Sequence, residues 1–221
     1  MRFKNILFVY WPIVPTLLVG QKTKYWEWGA GAGLYHYQGD LNENFSVGIF
    51  FNEAGPRLTG FVRNNPVPWF SYGIETSYGN CIVKDTDYGR TERNWNVYSE
   101  SFDINLSLEW NFLRYGKWHW ENKLAPYFKV GAGALVVSSR GQNTVNLPES
   151  IELHPYTYGS YNIFYGYGVK TRVGYRTSLF LQFTRHYTGT DKMDGFIDNS
   201  IQTPKNDQYI SIILGISKLV F

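Results

Sequence analysis

The chain has 221 residues, a formal net charge of +3, a mean hydropathy of −0.31 and 19% aromatic residues. Its 21 basic residues form no run, which argues against a nucleic-acid surface. Its single cysteine, Cys81, excludes an internal disulfide and lies too far from the start to accept a lipid anchor.

Residues 1–20 carry Arg2 and Lys4, then a short apolar core interrupted by Pro12 and Pro15, then the small Gly20. This is the pattern of a cleaved signal peptide, too short and too broken for a spanning helix. The remainder, 21–221, is read as one domain. No later stretch reaches the roughly 18 apolar residues of a membrane helix, so a membrane-embedded form of this chain has to be a closed barrel.

The pattern predicts eight strands, at residues 25–37, 57–64, 68–79, 97–112, 125–137, 161–173, 178–187 and 208–221. The fourth is the clearest. Between 101 and 112, Phe102, Ile104, Leu106, Leu108, Trp110 and Phe112 alternate with Ser101, Asp103, Asn105, Ser107, Glu109 and Asn111. An ordinary soluble strand runs to about 5–6 residues, whereas a tilted strand crosses a bilayer in about 9–11. Short connections at 64–67 and 174–177 alternate with long polar ones at 38–56, 80–96, 138–160 and 188–207. That is the layout of an outer-membrane up-and-down barrel with both termini in the periplasm. The aromatic excess suits the interfacial girdles of such a barrel.

Carrying the alternation along every strand predicts an inward set of charges: Glu27, Arg57, Arg63, Glu75, Asp103, Glu109, Lys129, Lys170 and Arg172. A narrow lumen of eight strands has room for side chains and not for a channel, so these charges are expected to pair. Gly29, Gly31, Gly33, Gly131 and Gly133 fit where larger neighbours crowd inward. They precede no helix bearing Lys-Ser/Thr, so they form no phosphate loop. Phe180 also points in and weakens the seventh strand's pattern.

The connection 114–124 is long for a periplasmic turn and carries Trp118, His119 and Trp120 among charges. It reads equally as an interfacial aromatic anchor or as a docking surface for a periplasmic partner. The histidines His36, His119, His154 and His186 have no metal-ligand spacing, and no Gly-x-Ser-x-Gly is present. Catalysis and cofactors are therefore not expected. One enzymatic alternative stands: His186 at the extracellular rim beside Asp191 and Asp194, as in a rim-site hydrolase. Thr190, Asp191 and Asp194 read otherwise as a turn whose Asp side chains bond nearby backbone N–H groups, or as a rim constellation that packs the loop over the lumen and pairs with Arg185 or Arg172. Phe221, a terminal aromatic on the last strand, reads as the signal for barrel assembly.

Four segments taken in order resemble the PorG-like outer-membrane barrels of the Bacteroidetes. They are Tyr37, Gly39, Asp40 and Leu41 after the first strand; Arg93-Asn94 before a strand closing on Glu109–Phe112; Pro126-Tyr127 leading into Lys129–Ala134; and Thr190-Asp191-Lys192-Met193-Asp194. The stretch 138–160 lacks a clear match, and the loop 114–124 is unusual for the family. The resemblance implies a non-enzymatic accessory component of the type IX secretion and gliding machinery, associated with the periplasmic ring of PorK and PorN. The alternative is a free-standing structural or adhesive barrel of the OmpA or OmpX kind.

Overall fold

The computed structural model describes residues 24–38, 47–84, 96–117, 119, 121–142, 151–153, 156–189, 193, 196–198 and 206–221. The expected leader lies outside them. Eight antiparallel strands close into a barrel: β1 (Tyr25–Gln38), β2 (Gly55–Val67), β3 (Phe70–Lys84), β4 (Asn96–Asn111), β5 (Leu124–Gln142), β7 (Tyr156–Arg172), β8 (Thr177–Thr188) and β10 (Gln208–Val220). A helix α1 (Val47–Glu53) follows β1, and β6 (Ile151–Leu153) pairs with β9 (Phe196–Asp198) as a separate two-stranded sheet. Closure is made by β1, which pairs with β2 on one side and β10 on the other, so that Gly31 faces both Thr59 and Gly215. No strand edge in the wall is left to pair elsewhere.

The alternation expected for β4 holds. Asp103, Asn105 and Glu109 are buried, and Ile104, Leu106 and Leu108 are exposed. The same parity places Leu58, Val62, Ile74, Leu181, Leu214 and Ile216 on the outer face. Aromatics bound this apolar belt. Trp26, Trp28, Trp69, Trp110 and Tyr167 lie toward one end, and Tyr78, Phe102, Tyr161 and Tyr187 toward the other. A free-standing soluble protein has no use for such a belt, which is the outer surface of a barrel standing in lipid.

Among the differences from the sequence expectation, three bear on the ends of the lumen. The first hairpin turns at Pro68-Trp69 and not at 64–67, because β2 continues through an irregularity between Asn64 and Val67. Asn65 is turned inward there, and its side-chain oxygen accepts from Ser71 Oγ at 2.5 Å. Strands β5 and β7 run on into the expected connection 138–160, paired as far as Ser139 with Tyr156. Above the lipid the outer face need not be apolar, so the polar residues there concealed a strand. At the top of β1, His36 is buried along with inward Tyr35 and Tyr37, because Phe50 of α1 covers its ring at 5.3 Å.

Candidate functional site: the lumen and its two closures

The end of the barrel holding the β2–β3, β4–β5 and β7–β8 connections is the turn end, and the opposite one is the loop end. Between them the lumen holds four carboxylates and four cations, each within reach of an opposite charge. Arg63 on β2 is the hub. Its Nε donates to Glu27 Oε2 at 2.9 Å, its Nη2 to Glu27 Oε1 at 2.7 Å, and its Nη1 to Glu109. Glu109 also accepts from Lys170, and Ser217 Oγ donates to Glu27 at 2.6 Å. Glu109 and Lys170 sit on β4 and β7, which are not neighbours in the sheet, so these bonds cross the interior.

Higher up, Lys129 donates to Glu75 and, at 3.2 Å, to Gln182 Oε1. Arg57 Nη2 donates to Asp103 Oδ2 at 2.5 Å and lies between the rings of Tyr35 and Tyr209 at 5.2 and 5.1 Å. Tyr209 Oη on β10 donates to Asp103 on β4 at 3.3 Å, which joins strands on opposite sides of the ring. A buried charge is costly unless it is paired and hydrogen-bonded, and here every one of the eight is both.

Apolar groups fill the remaining space. Phe61 and Phe180 meet edge to face at 5.4 Å, so the inward turn of Phe180 is part of the packing. The inward glycines make room for such rings. A Cβ on Gly131 would lie 2.4 Å from the Phe164 ring.

His186 is not a rim residue. It is 2% exposed and stacks between Phe164 at 4.7 Å and Tyr209 at 4.2 Å. Its Nε2 lies 3.2 Å from Thr184 Oγ1, and its Nδ1 3.4 Å from Asn162 Oδ1. The β8 parity that turns Gln182 and Thr184 inward carries it in, away from any external substrate. Among the described residues, no three His, Cys, Asp or Glu side chains converge as metal ligands.

Both ends of the lumen are covered. At the turn end the β4–β5 connection folds beneath the barrel. Tyr115 is buried there, its hydroxyl bonded to Ser178 Oγ and its ring 5.3 Å from Lys170 Nζ. The chain bends under Tyr25 at Gly116, whose φ of 122° favours glycine and where a Cβ would lie 2.6 Å from the Tyr25 ring. Arg172, expected in the acid–base network, stands at this rim instead. Its guanidinium donates to the carbonyls of Gly116 at 2.6 Å and Tyr175 at 2.8 Å, because the end of β7 lies level with the connection beneath the lumen. Phe221 packs on Tyr25 at 6.3 Å and Tyr175 at 5.7 Å, with Lys117 and Arg176 at 5.1 and 5.2 Å from its ring.

At the loop end Met193 is fully buried. Its N–H donates to Asp207 Oδ2 at 2.7 Å and its carbonyl accepts from Ser139 Oγ at 2.6 Å. Asp207 also accepts from Tyr37 Oη at 2.6 Å. Thr190, Asp191 and Asp194 lie outside the described residues, so the described part of that motif is its central Met193. Sequence reasoning missed Asp207 as its anchor. The available signal was an acid one residue ahead of the last strand's alternation.

Trp118 and Trp120 likewise lie outside the described residues. His119 is half-buried beside a cleft of about 510 Å³ lined with Trp69, Trp110, Phe112 and Arg114. Burial and the nearby Arg114 guanidinium hold its imidazole below the usual range.

No curated protein matches this chain. Among solved structures, Neisserial surface protein A is similar in fold, with a TM-score of 0.51 at 13% identity over 87% of this chain and 96% of that one. Ail, the attachment invasion locus protein of Yersinia pestis, gives 0.45 at 9% identity over 90% and 99%. The outer membrane protein OprG from Pseudomonas aeruginosa gives 0.43 at 9% over 89% and 95%. A family described as Domain of unknown function (DUF6089) matches residues 8–218, nearly the whole chain, and the chain belongs to that family.

Proposed function

We propose that this protein is a non-enzymatic outer-membrane barrel with its termini in the periplasm, which works as a membrane-anchored scaffold and not as a pore. The observation that carries the reading is the filled lumen. Eight charges pair within it, Tyr209 reaches Asp103 from the opposite wall, and Tyr115 and Met193 cover the ends. Among the described residues, the side chains that face the interior pair or stack on one another and fill it. Residues 1–20 serve as the leader, and Phe221 as the assembly signal on the last strand.

The partner follows from the resemblance. The Tyr37–Leu41 and Thr190–Asp194 segments resemble those of PorG-like proteins, and on that resemblance the scaffold serves type IX secretion, with its turn end meeting the periplasmic ring of PorK and PorN. Trp118, His119 and Trp120 are the residues proposed to dock there, and of these His119 stands beside the aromatic cleft at Trp69 and Trp110. The test is deletion with complementation in the native cell, scoring export of type IX cargo and cross-linking from position 119. Normal export without the protein would remove the secretion role and leave the barrel reading intact.

The second reading is a free-standing adhesive barrel acting through its loops. The β6–β9 pair favours it, since it ties two long connections together beyond the barrel wall. Loss of surface binding on exchange of those strands, with export unchanged, would select it.

A further inference from the structure

Charge is sorted along the barrel axis. The lumen is balanced. The long connections 38–56, 80–96, 138–160 and 188–207 carry twelve acidic against six basic residues in sequence. The turn end is the reverse. Among its described residues stand Lys24 before β1, Arg114, Lys117 and Lys123 in the β4–β5 connection, Arg172 and Arg176 at the β7–β8 hairpin, and Lys218 on β10, against the single acid Glu121. In the order of the wall these occupy the ends of β1, β10, β8, β7, β5 and β4, one continuous arc. The β2–β3 hairpin, which completes the circle, has no charged residue between Asn64 and Phe70.

The arc is also interleaved with exposed apolar side chains. Leu113 precedes Arg114, Leu124 follows Lys123, Tyr175 precedes Arg176, Trp26 is two residues from Lys24, and Val220 is two residues from Lys218. A basic side chain beside a lipid-facing apolar one lays its stem along the hydrocarbon and holds its charge at headgroup level. A contour of such pairs faces a leaflet. A protein partner would be met by a compact patch.

We propose that this arc binds anionic phospholipid headgroups in the leaflet at the turn end, so that the barrel gathers a shell of acidic lipid on that side alone. Each Lys or Arg near such a surface adds to the attraction, and the effect weakens as salt screens it. The proposal rests on the membrane-spanning reading and deepens it by naming a lipid partner.

The test reconstitutes the full chain into bilayers mixing phosphatidylcholine and phosphatidylglycerol at low salt, with folding checked by heat-modifiable migration. Lipids retained by the protein are then counted by native mass spectrometry. The expected result is several-fold enrichment of phosphatidylglycerol, falling to parity in Lys24→Gln/Arg114→Gln/Lys123→Gln/Lys218→Gln. The charge-keeping Arg114→Lys/Lys123→Arg and the loop-end Arg140→Gln should both retain the enrichment. A folded wild-type barrel without enrichment overturns the proposal, as does enrichment that survives the fourfold variant. Charge-dependent binding of a polyglutamate peptide without phosphatidylglycerol enrichment also overturns it, in favour of an acidic protein partner. A chain that enters no bilayer removes the spanning reading itself, and the inference with it.

Discussion

The inner and outer walls of this barrel are built by the same strands under opposite demands. On β4, Asp103 and Glu109 each have named partners on other strands, while Leu106 and Leu108 between them face outward with nothing specific to meet. The outer wall asks only that a side chain be apolar. The inner wall asks for a particular charge at a particular height, because each one answers another on a different strand. Substitutions inside should therefore propagate to partners, and substitutions outside should act alone.

The largest effect is expected at Glu109, which accepts from both Arg63 and Lys170. Glu109→Ala leaves two buried cations short of an anion and should cost about 3–5 kcal/mol, read from denaturant unfolding of the folded barrel in detergent micelles. Adding Lys170→Met should restore part of the loss. A double variant no better than the single one would break the claim of coupling across the lumen.

Next comes the outer wall. Leu106→Arg should cost about 2–4 kcal/mol if position 106 stands near the bilayer midplane. Neighbouring Ser107, whose hydroxyl reaches only the Gly73 carbonyl at 3.5 Å, should tolerate Ala within about 0.5 kcal/mol. Equal losses at the two positions would erase the distinction between the walls. A smaller effect is expected at the loop-end cover. Asp207→Ala removes the acceptor of both Tyr37 Oη and the Met193 N–H, for about 1–3 kcal/mol. Faster proteolysis near Met193 is the signature to look for. An unchanged cleavage pattern would mean that Asp207 does not hold the cover.

The wall was legible in the sequence and its covers were not. Alternation sorts side chains with a period of two, so the inward positions of Glu75, Lys129, Lys170 and Gln182 followed from their neighbours. It fails wherever both faces are polar, which hid the extra length of β5 and β7 above the lipid. It fails again where a connection folds back on the barrel. Tyr115 enters from beneath, Phe50 lies over His36, and Asp207 meets Tyr37 from 170 residues away, all contacts with no local signature. Arg172 was misplaced for the same reason, since strand parity is silent about a carbonyl at the rim. His186 shows the converse. The alternation that turns Gln182 and Thr184 inward turns His186 inward too, while the nearby acids in the sequence point to the rim, and the ring is stacked inside.

The central claim is that the interior is a packed, charge-paired core. Ion conductance through the protein folded in a planar bilayer tests it most directly. The account predicts no steady conductance in the wild type, with openings appearing in Glu109→Ala as the Arg63–Lys170 crossing loosens. A stable open conductance in the wild-type barrel would contradict it.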